Sequence, residues 1–223
     1  AVARAAMESG VATRPITHWD SYLNTLNALV YHSGMIMRPV FTQAKLAPKR
    51  IVFAEGEDER VLRAVQVLCD EGIARPILIG RHAEIGRVIE VAGLRIREGV
   101  DYDVVYADDC PFYDAHYEEF WTTYHQVMER RGVSPDYARG EVRRHRTLYG
   151  ALMVRLGYAD GLICGSYGRY EVHREYVENV IGMRPGFDRY YALNALQLHG
   201  RTVFIGDTYV NYDPTAEQLA DMT

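Results

Sequence analysis

A chain of 223 residues that is 48% hydrophobic is long enough to bury a substantial core, as one large domain or two small ones. Its formal net charge of −5 argues against a nucleic-acid partner, which calls for a basic face, and no apolar run is long enough to span a bilayer. The three cysteines, Cys69, Cys110 and Cys164, are isolated and lack metal-ligand spacing, so a disulfide framework is not expected and a reducing cytoplasm is.

The chain opens Ala1-Val-Ala-Arg-Ala-Ala-Met7-Glu-Ser-Gly10, already inside a helix that Gly10 ends, and it stops at Asp221-Met-Thr223 a turn or two into another. Both ends read as cut, and a piece of a longer polypeptide is expected. After a crossing that contains Pro15, Thr17 is the expected N-cap of a helix whose Trp19, Tyr22, Leu23, Leu26 and Leu29 form an apolar stripe. Helical character continues over residues 35–47 past Pro39, and Pro48 closes it. This first part is a connector and docking arm.

Strand and helix alternate from residue 49 to 180. The apolar run at 51–54 breaks at Glu55-Gly56 and gives way to helical spacing, with Val61, Leu62, Val65, Leu68 and Cys69 on one face. Gly72 turns the chain into a second apolar run at 76–80, completing a right-handed βαβ unit of the kind that builds parallel sheets with sites at the strand ends. A helix is expected over 81–91, a short strand over 103–106 and an aromatic-rich helix over 114–131. Another helix starts at Ser134-Pro135, a cap followed by proline at the first helical position. A helix over 143–156 and a strand over 159–164 close this part. Beyond it come a helix around 190–196, a strand over 202–205, a polar loop over 207–211 and a last helix opened by the capping box at Thr215 and Gln218.

Several places offer chemistry, each with a plainer alternative. Gly165-Ser166-Tyr167-Gly168-Arg169 follows a strand, where glycines let backbone amides approach an anion that Arg169 pairs with; a tight turn is the simpler account. The loop at 207–211 gathers polar groups where α/β ligands sit, or is held by Asp and Asn bonding to their own backbone. Glu55, Glu57 and Asp58 resemble a cation site, but acids at a helix start more simply complement the helix dipole. Cys164 in its apolar run reads as core. His145 and His173 stand near arginines without a legible nucleophile or base partner. Arg130, Arg131, Arg139, Arg143, Arg144 and Arg146 make either a solvated face paired to Glu129 and Glu141 or a multi-phosphate site, the two weighing evenly.

Four stretches then fall into one pattern. They are Phe53-Ala-Glu55-Gly56-Glu57-Asp58-Glu59-Arg60-Val61-Leu62, Ala74-Arg75-Pro76-Ile77-Leu78-Ile79-Gly80, Gly157-Tyr-Ala-Asp160-Gly161-Leu162-Ile163-Cys164-Gly165 and Asp207-Thr-Tyr-Val-Asn211-Tyr-Asp-Pro214-Thr215-Ala-Glu217-Gln218-Leu219. In this order, over about residues 49–223, they resemble the phosphate acetyltransferase (phosphotransacetylase) family. Ala6-Met7-Glu8-Ser9-Gly10-Val11-Ala12-Thr13-Arg14-Pro15-Ile16 and Met37-Arg38-Pro39-Val40-Phe41 are similar to the junction in large bacterial NADP-dependent malic enzymes, where a malic enzyme region precedes a phosphotransacetylase-like one.

The resemblance implies an α/β fold, a phosphotransacetylase-like two-subdomain αβα sandwich with mostly parallel sheets preceded by a helical connector. The implied divisions are a connector over 1–45 from the end of the malic enzyme region, a first subdomain over 46–180 and the start of a second over 181–223. It implies acetyl-CoA as ligand, with Arg130, Arg131, Arg143 and Arg169 meeting phosphates and Gly165, Ser166, Tyr167, Thr208 and Asn211 making backbone or polar contacts. It also implies a homo-oligomer through the phosphotransacetylase-like region. The chain departs from the pattern at Val172-His173-Arg174-Glu175-Tyr176, where the family's threonines are missing and Glu175 falls near the place of its phosphate-contacting arginine. No catalytic residue and no metal ligand is therefore expected in this chain. NADP and a divalent metal, Mg or Mn, would belong to the malic enzyme region of the same polypeptide. The expected role is regulation of malate decarboxylation by acetyl-CoA; an active phosphate acetyltransferase and a structural oligomerisation module are the alternatives.

Overall fold

A computed structural model describes residues 2–14, 16–30, 34–106, 110–198, 201–208 and 210–222, with backbone alone for residues 24, 25, 27–30 and 34–36. Helix α1 (Val2–Glu8) runs out at Gly10, and α2 (Trp19–Val30) follows. The Tyr22 amide donates to the His18 carbonyl, the first bond of α2, so His18 takes the cap position expected of Thr17. Trp19 and Tyr22 meet edge to face at 5.9 Å, and the Arg4 guanidinium lies 5.3 Å from the Trp19 ring centre. Leu23 and Leu26 stay exposed, while the Leu29 side chain lies outside the described residues. Helix α3 (Gly34–Leu46) contains Pro39, as the sequence indicates.

The chain divides into two compact units, residues 42–188 and residues 1–41 with 189–223. In the larger unit, β1 (Lys49–Phe53), α4 (Glu59–Glu71) and β2 (Ala74–Leu78) form the expected βαβ unit. Asp58 caps α4 by accepting from the Arg60 amide, and Gly72, left-handed at φ 65°, ends it. Then come α5 (His82–Ala92), β3 (Asp103–Val104), α6 (Pro111–Met128) with a 3₁₀ turn at Glu129–Arg131, α7 (Pro135–Arg144), α8 (Arg146–Arg155), β4 (Gly161–Ile163) and α9 (Tyr170–Val180).

The four strands lie parallel in the order β3-β2-β1-β4. Successive residues of a strand face opposite sides, and the core splits accordingly. Phe53 and Leu78 pack with Leu62, Val65 and Ile85 beneath α4 and α5, whereas Val52 and Ile77 pack with Phe120, Tyr149 and Leu152 beneath α6 and α8. Helices cover both faces, which is why these strands read as continuous apolar runs. Cys110, 3% exposed, belongs to the second of these clusters at the start of α6. Because β2 leaves β1 on one side and β4 joins it on the other, the chain direction switches between β1 and β4, the place where open α/β sheets hold ligands.

Further expectations change. The strand over 103–106 is only Asp103–Val104, and that over 159–164 is only Gly161–Ile163. The helix expected over 143–156 breaks at His145, whose extended backbone (φ −112°, ψ 100°) assigns Arg143 and Arg144 to α7 and starts α8 at Arg146. The helix expected around 190–196 is instead a strand. There β5 (Leu193–Leu198) pairs antiparallel with β6 (Arg201–Gly206), from Leu193 opposite Gly206 to Leu198 opposite Arg201. Ala, Leu and Gln favour helix weakly, and the ladder outweighs that preference. The last helix, α10 (Ala216–Met222), opens as expected: the Thr215 amide donates to Gln218 Oε1 at 2.7 Å and the Gln218 amide to Thr215 Oγ1 at 3.3 Å.

Candidate functional site: the strand-end loop of the parallel sheet

The segment after β1 carries three acids to the C-terminal edge of the sheet, and each meets a different donor. Gly56 makes the approach possible, because a Cβ there would fall 2.9 Å from Leu78 Cβ and 3.0 Å from the Ile79 carbonyl oxygen. Glu55, 4% exposed, accepts the Gly165 amide at 3.0 Å and so ties the end of β1 to the loop after β4. Glu57 accepts the Arg81 amide at 2.8 Å and the guanidinium groups of Arg81 and Arg146 at 3.0 and 2.8 Å. Burial alone would raise the Glu57 carboxyl, but these arginine donors outweigh it and hold it at about 2. Asp58 is also held at about 2, chiefly by the Arg60 guanidinium, against the opposing pull of burial. Its Oδ2 further accepts the Ser166 hydroxyl at 3.3 Å. The acids thus hold structure together, and among the described residues no three His, Cys, Asp or Glu side chains gather as metal ligands.

The loop over 165–169 is gripped along its length. Gly165 and Gly168 both adopt φ 94°, the left-handed region that favours glycine. The Ser166 carbonyl accepts from Arg60 Nη2 at 2.9 Å, and the Tyr167 carbonyl lies 2.9 Å from His173 Nε2. His173 Nδ1 is 2.8 Å from Thr147 Oγ1 and 4.0 Å from Glu55 Oε1. A hydroxyl beside an imidazole suggests a nucleophile and its base. Thr147 is only 6% exposed, however, so its hydroxyl is not offered to a substrate. Burial pushes the Cys164 thiol up to about 11, which removes it as a thiolate nucleophile. What the loop offers to solvent is the Tyr167 ring and Arg169, both exposed, beside the N-terminus of α9.

The predicted ligand residues do not all converge. Gly165, Ser166, Tyr167 and Arg169 form the loop itself. Arg131 bonds to Asn179 near the C-terminal end of α9, about 15 Å by helical rise from the loop at its N-terminal end. Arg130 is its exposed neighbour. Arg143 lies on α7 with its guanidinium 5.3 Å from the Tyr117 ring centre. Other members of the arginine run are matched to acids, Arg139 to Asp136, Arg144 to Glu141 and Arg146 to Glu57. Thr208 and Asn211 belong to the other unit. Asn211 donates to Asp207 Oδ1 and to the Tyr190 carbonyl, both at 2.8 Å, and Thr208 Oγ1 accepts from Asn194. These bonds anchor that loop to itself and to residues 190 and 194.

Sequence reasoning missed the joint role of Glu55, Thr147 and His173, whose positions in the chain give no spacing signal. It also missed helix α9, in which Arg174 pairs with Glu178 at 3.5 Å. An open cavity of about 380 Å³ lies at the opposite edge of the sheet, at the starts of β2 and β3, and is lined by Cys69, Arg75, Asp101 and Tyr102 among others. It shares no residue with the strand-end loop.

The family model for phosphate acetyl/butaryl transferase matches residues 35–223. The chain belongs to this family. Its fold agrees: the Staphylococcus aureus EutD phosphotransacetylase superposes with a TM-score of 0.68 at 21% identity, over 83% of this chain and 55% of that one. Among curated relatives, the NADP-dependent malic enzyme of Escherichia coli is 48% identical over the whole chain, and the NAD-dependent malic enzyme of Rhizobium meliloti is 50% identical. The chain spans 29% of the length of each of these relatives. The family match, the parallel sheet and its two helical layers bear out the expected fold class. No described helix is long and apolar enough to cross a membrane.

Proposed function

We propose that this chain is the C-terminal regulatory part of an NADP-dependent malic enzyme, binding acetyl-CoA as an allosteric inhibitor of the oxidative decarboxylation of malate to pyruvate and CO₂. The observation that carries the proposal is the similarity to malic enzymes along the entire chain, including the residues ahead of the family match at 35. NADP and a divalent metal act in the catalytic region of the same polypeptide. Residues 1–45 link the two regions, 46–180 form the first phosphotransacetylase-like subdomain and 181–223 begin the second, through which the protein assembles as a homo-oligomer in the cytoplasm.

Acetyl-CoA is an extended polyanion, and the loop after β4 has the features to receive one: left-handed glycines, an exposed arginine and a helix N-terminus. Gly165, Ser166, Tyr167 and Arg169 are its proposed contacts; Thr208 and Asn211 are further proposed contacts, each to be tested by itself. Arg143, together with Arg130 and Arg131, remains a phosphate partner to be tested singly, since these arginines stand on other elements. Inhibition requires that acetyl-CoA bind one global conformation better than another, because equal affinity for both shifts nothing.

The test is malate oxidation by the full-length parent with and without acetyl-CoA, beside a version truncated after Lys45. Inhibition of the first alone supports the proposal, and equal insensitivity of both leaves an assembly role. Family membership also favours a second reading, an active phosphate acetyltransferase. Release of acetyl phosphate from acetyl-CoA and phosphate by the full-length protein would establish it against the altered stretch at 172–176.

A further inference from the structure

The loop over 165–168 is held partly by a histidine that neither a nucleophile nor a metal accounts for. A carbonyl oxygen has no proton to give, so the contact with the Tyr167 carbonyl requires the hydrogen on Nε2 of His173. In the neutral ring Nδ1 is then the acceptor, and it takes the hydroxyl proton of Thr147 at 2.8 Å. Glu55 Oε1, 4.0 Å from Nδ1, is the same oxygen that accepts the Gly165 amide. Two adjoining polar grips therefore fasten the loop at both ends, Glu55 on Gly165 and His173 on Tyr167, with Thr147 of α8 setting the ring. The three side chains are shielded, with 17% of the His173 side chain exposed and Glu55 and Thr147 buried. The ring also occupies the space beside the turn, since a Cβ on Gly168 would fall 2.9 Å from Nε2.

We propose that His173 is the positioning residue of this ligand loop, oriented by Thr147 and fixing the Tyr167 carbonyl so that residues 165–169 present one preformed face. Only the identity of the ligand rests on the acetyl-CoA reading. A short loop with two left-handed glycines loses conformational freedom when a ligand orders it. A loop already ordered by the fold spares the ligand that cost, so loosening it weakens binding without altering any contact atom.

The test compares the full-length parent with His173→Leu, His173→Gln and Thr147→Val. In the ligand-free protein, amide hydrogen exchange across residues 164–170 is expected to be several-fold faster in His173→Leu. It should be intermediate in His173→Gln, whose amide keeps a donor for the Tyr167 carbonyl, and in Thr147→Val. The acetyl-CoA concentration for half-inhibition should rise about tenfold in His173→Leu and less in His173→Gln, with kcat and KM for malate unchanged. Exchange at wild-type rates in all three variants overturns the proposal whatever the ligand proves to be. So does faster exchange spread over the whole chain in all three. If instead the exchange pattern appears while wild type ignores acetyl-CoA, the clamp stands and the effector reading falls. Should His173→Leu not fold, His173→Gln and Thr147→Val carry the same comparison.

Discussion

The parallel sheet of residues 42–188 and the hairpin of 193–206 are built from similar apolar residues and end in similarly polar loops, yet they are held in opposite ways. In the sheet, Val52 and Leu78 are fully buried under helices on both faces; in the hairpin, Leu193, Leu196, Phe204 and Ile205 remain exposed. The loops differ likewise. The one over 165–169 is fastened by Glu55 and Arg60, 110 and 106 residues away in the chain, and by the nearby His173. The one over 207–211 is fastened from nearer in the chain, Asn211 to Asp207 and to the Tyr190 carbonyl, and Thr208 to its hairpin neighbour Asn194. A polar loop after a strand is therefore not yet a site; what matters is how much of the fold decides its shape.

This contrast breaks or sharpens under substitution. Phe120→Ala, at a fully buried ring, should cost about 3–5 kcal/mol, whereas Phe204→Ala, at a ring 64% exposed, should stay within about 0.5 kcal/mol. Urea unfolding midpoints measure both, and comparable losses would mean that the hairpin is buried in the assembled protein. At the loops, Glu55→Ala strands the Gly165 amide and should cost about 1–3 kcal/mol, against about 0.5–1.5 kcal/mol for Asn211→Ala. The reverse ranking would contradict the account of how each loop is held.

Acid separates the regions further. Glu57 and Asp58 have carboxyls depressed to about 2 in the folded protein, so the stability they contribute is present above the unfolded value of about 4. It is lost as pH falls from there through 2. Unfolding followed by the Gly165 amide should show this loss, and Glu57→Gln should flatten it. The loss of a helix cap should cost the same in the two regions. Ser134→Ala and Thr215→Ala each remove a side-chain cap, at about 1 kcal/mol, whether the helix belongs to one unit or the other. Thermal unfolding of the pair would show any difference.

Local signals carried much of the fold into the sequence. Ser134-Pro135, Asp58, Gly72 and the Thr215–Gln218 box act within a few residues of themselves, and each is found where its chemistry places it. What escaped depends on distant partners. Nothing near Leu193 announces the strand it forms, because the deciding ladder lies on residues 201–206. His145 carries no glycine or proline mark, yet it separates two helices. The candidate site was legible as far as the glycines of the 165–169 loop. Its supports, Glu55 and Thr147, lie 110 residues from Gly165 and 26 from His173, and the sheet order and the packing of α8 on α9 bring them together.

Cys110 gives the larger unit a built-in chemical clock. Its thiol is shut inside the cluster between the sheet and α6, so a water-soluble alkylating reagent reaches it only when that cluster opens. Under conditions of fast reclosing, its modification rate relative to a free thiol reads out the opening equilibrium. The untouched sequence thereby reports on its own integrity, and a bound ligand that stiffens the unit would register as a slower clock.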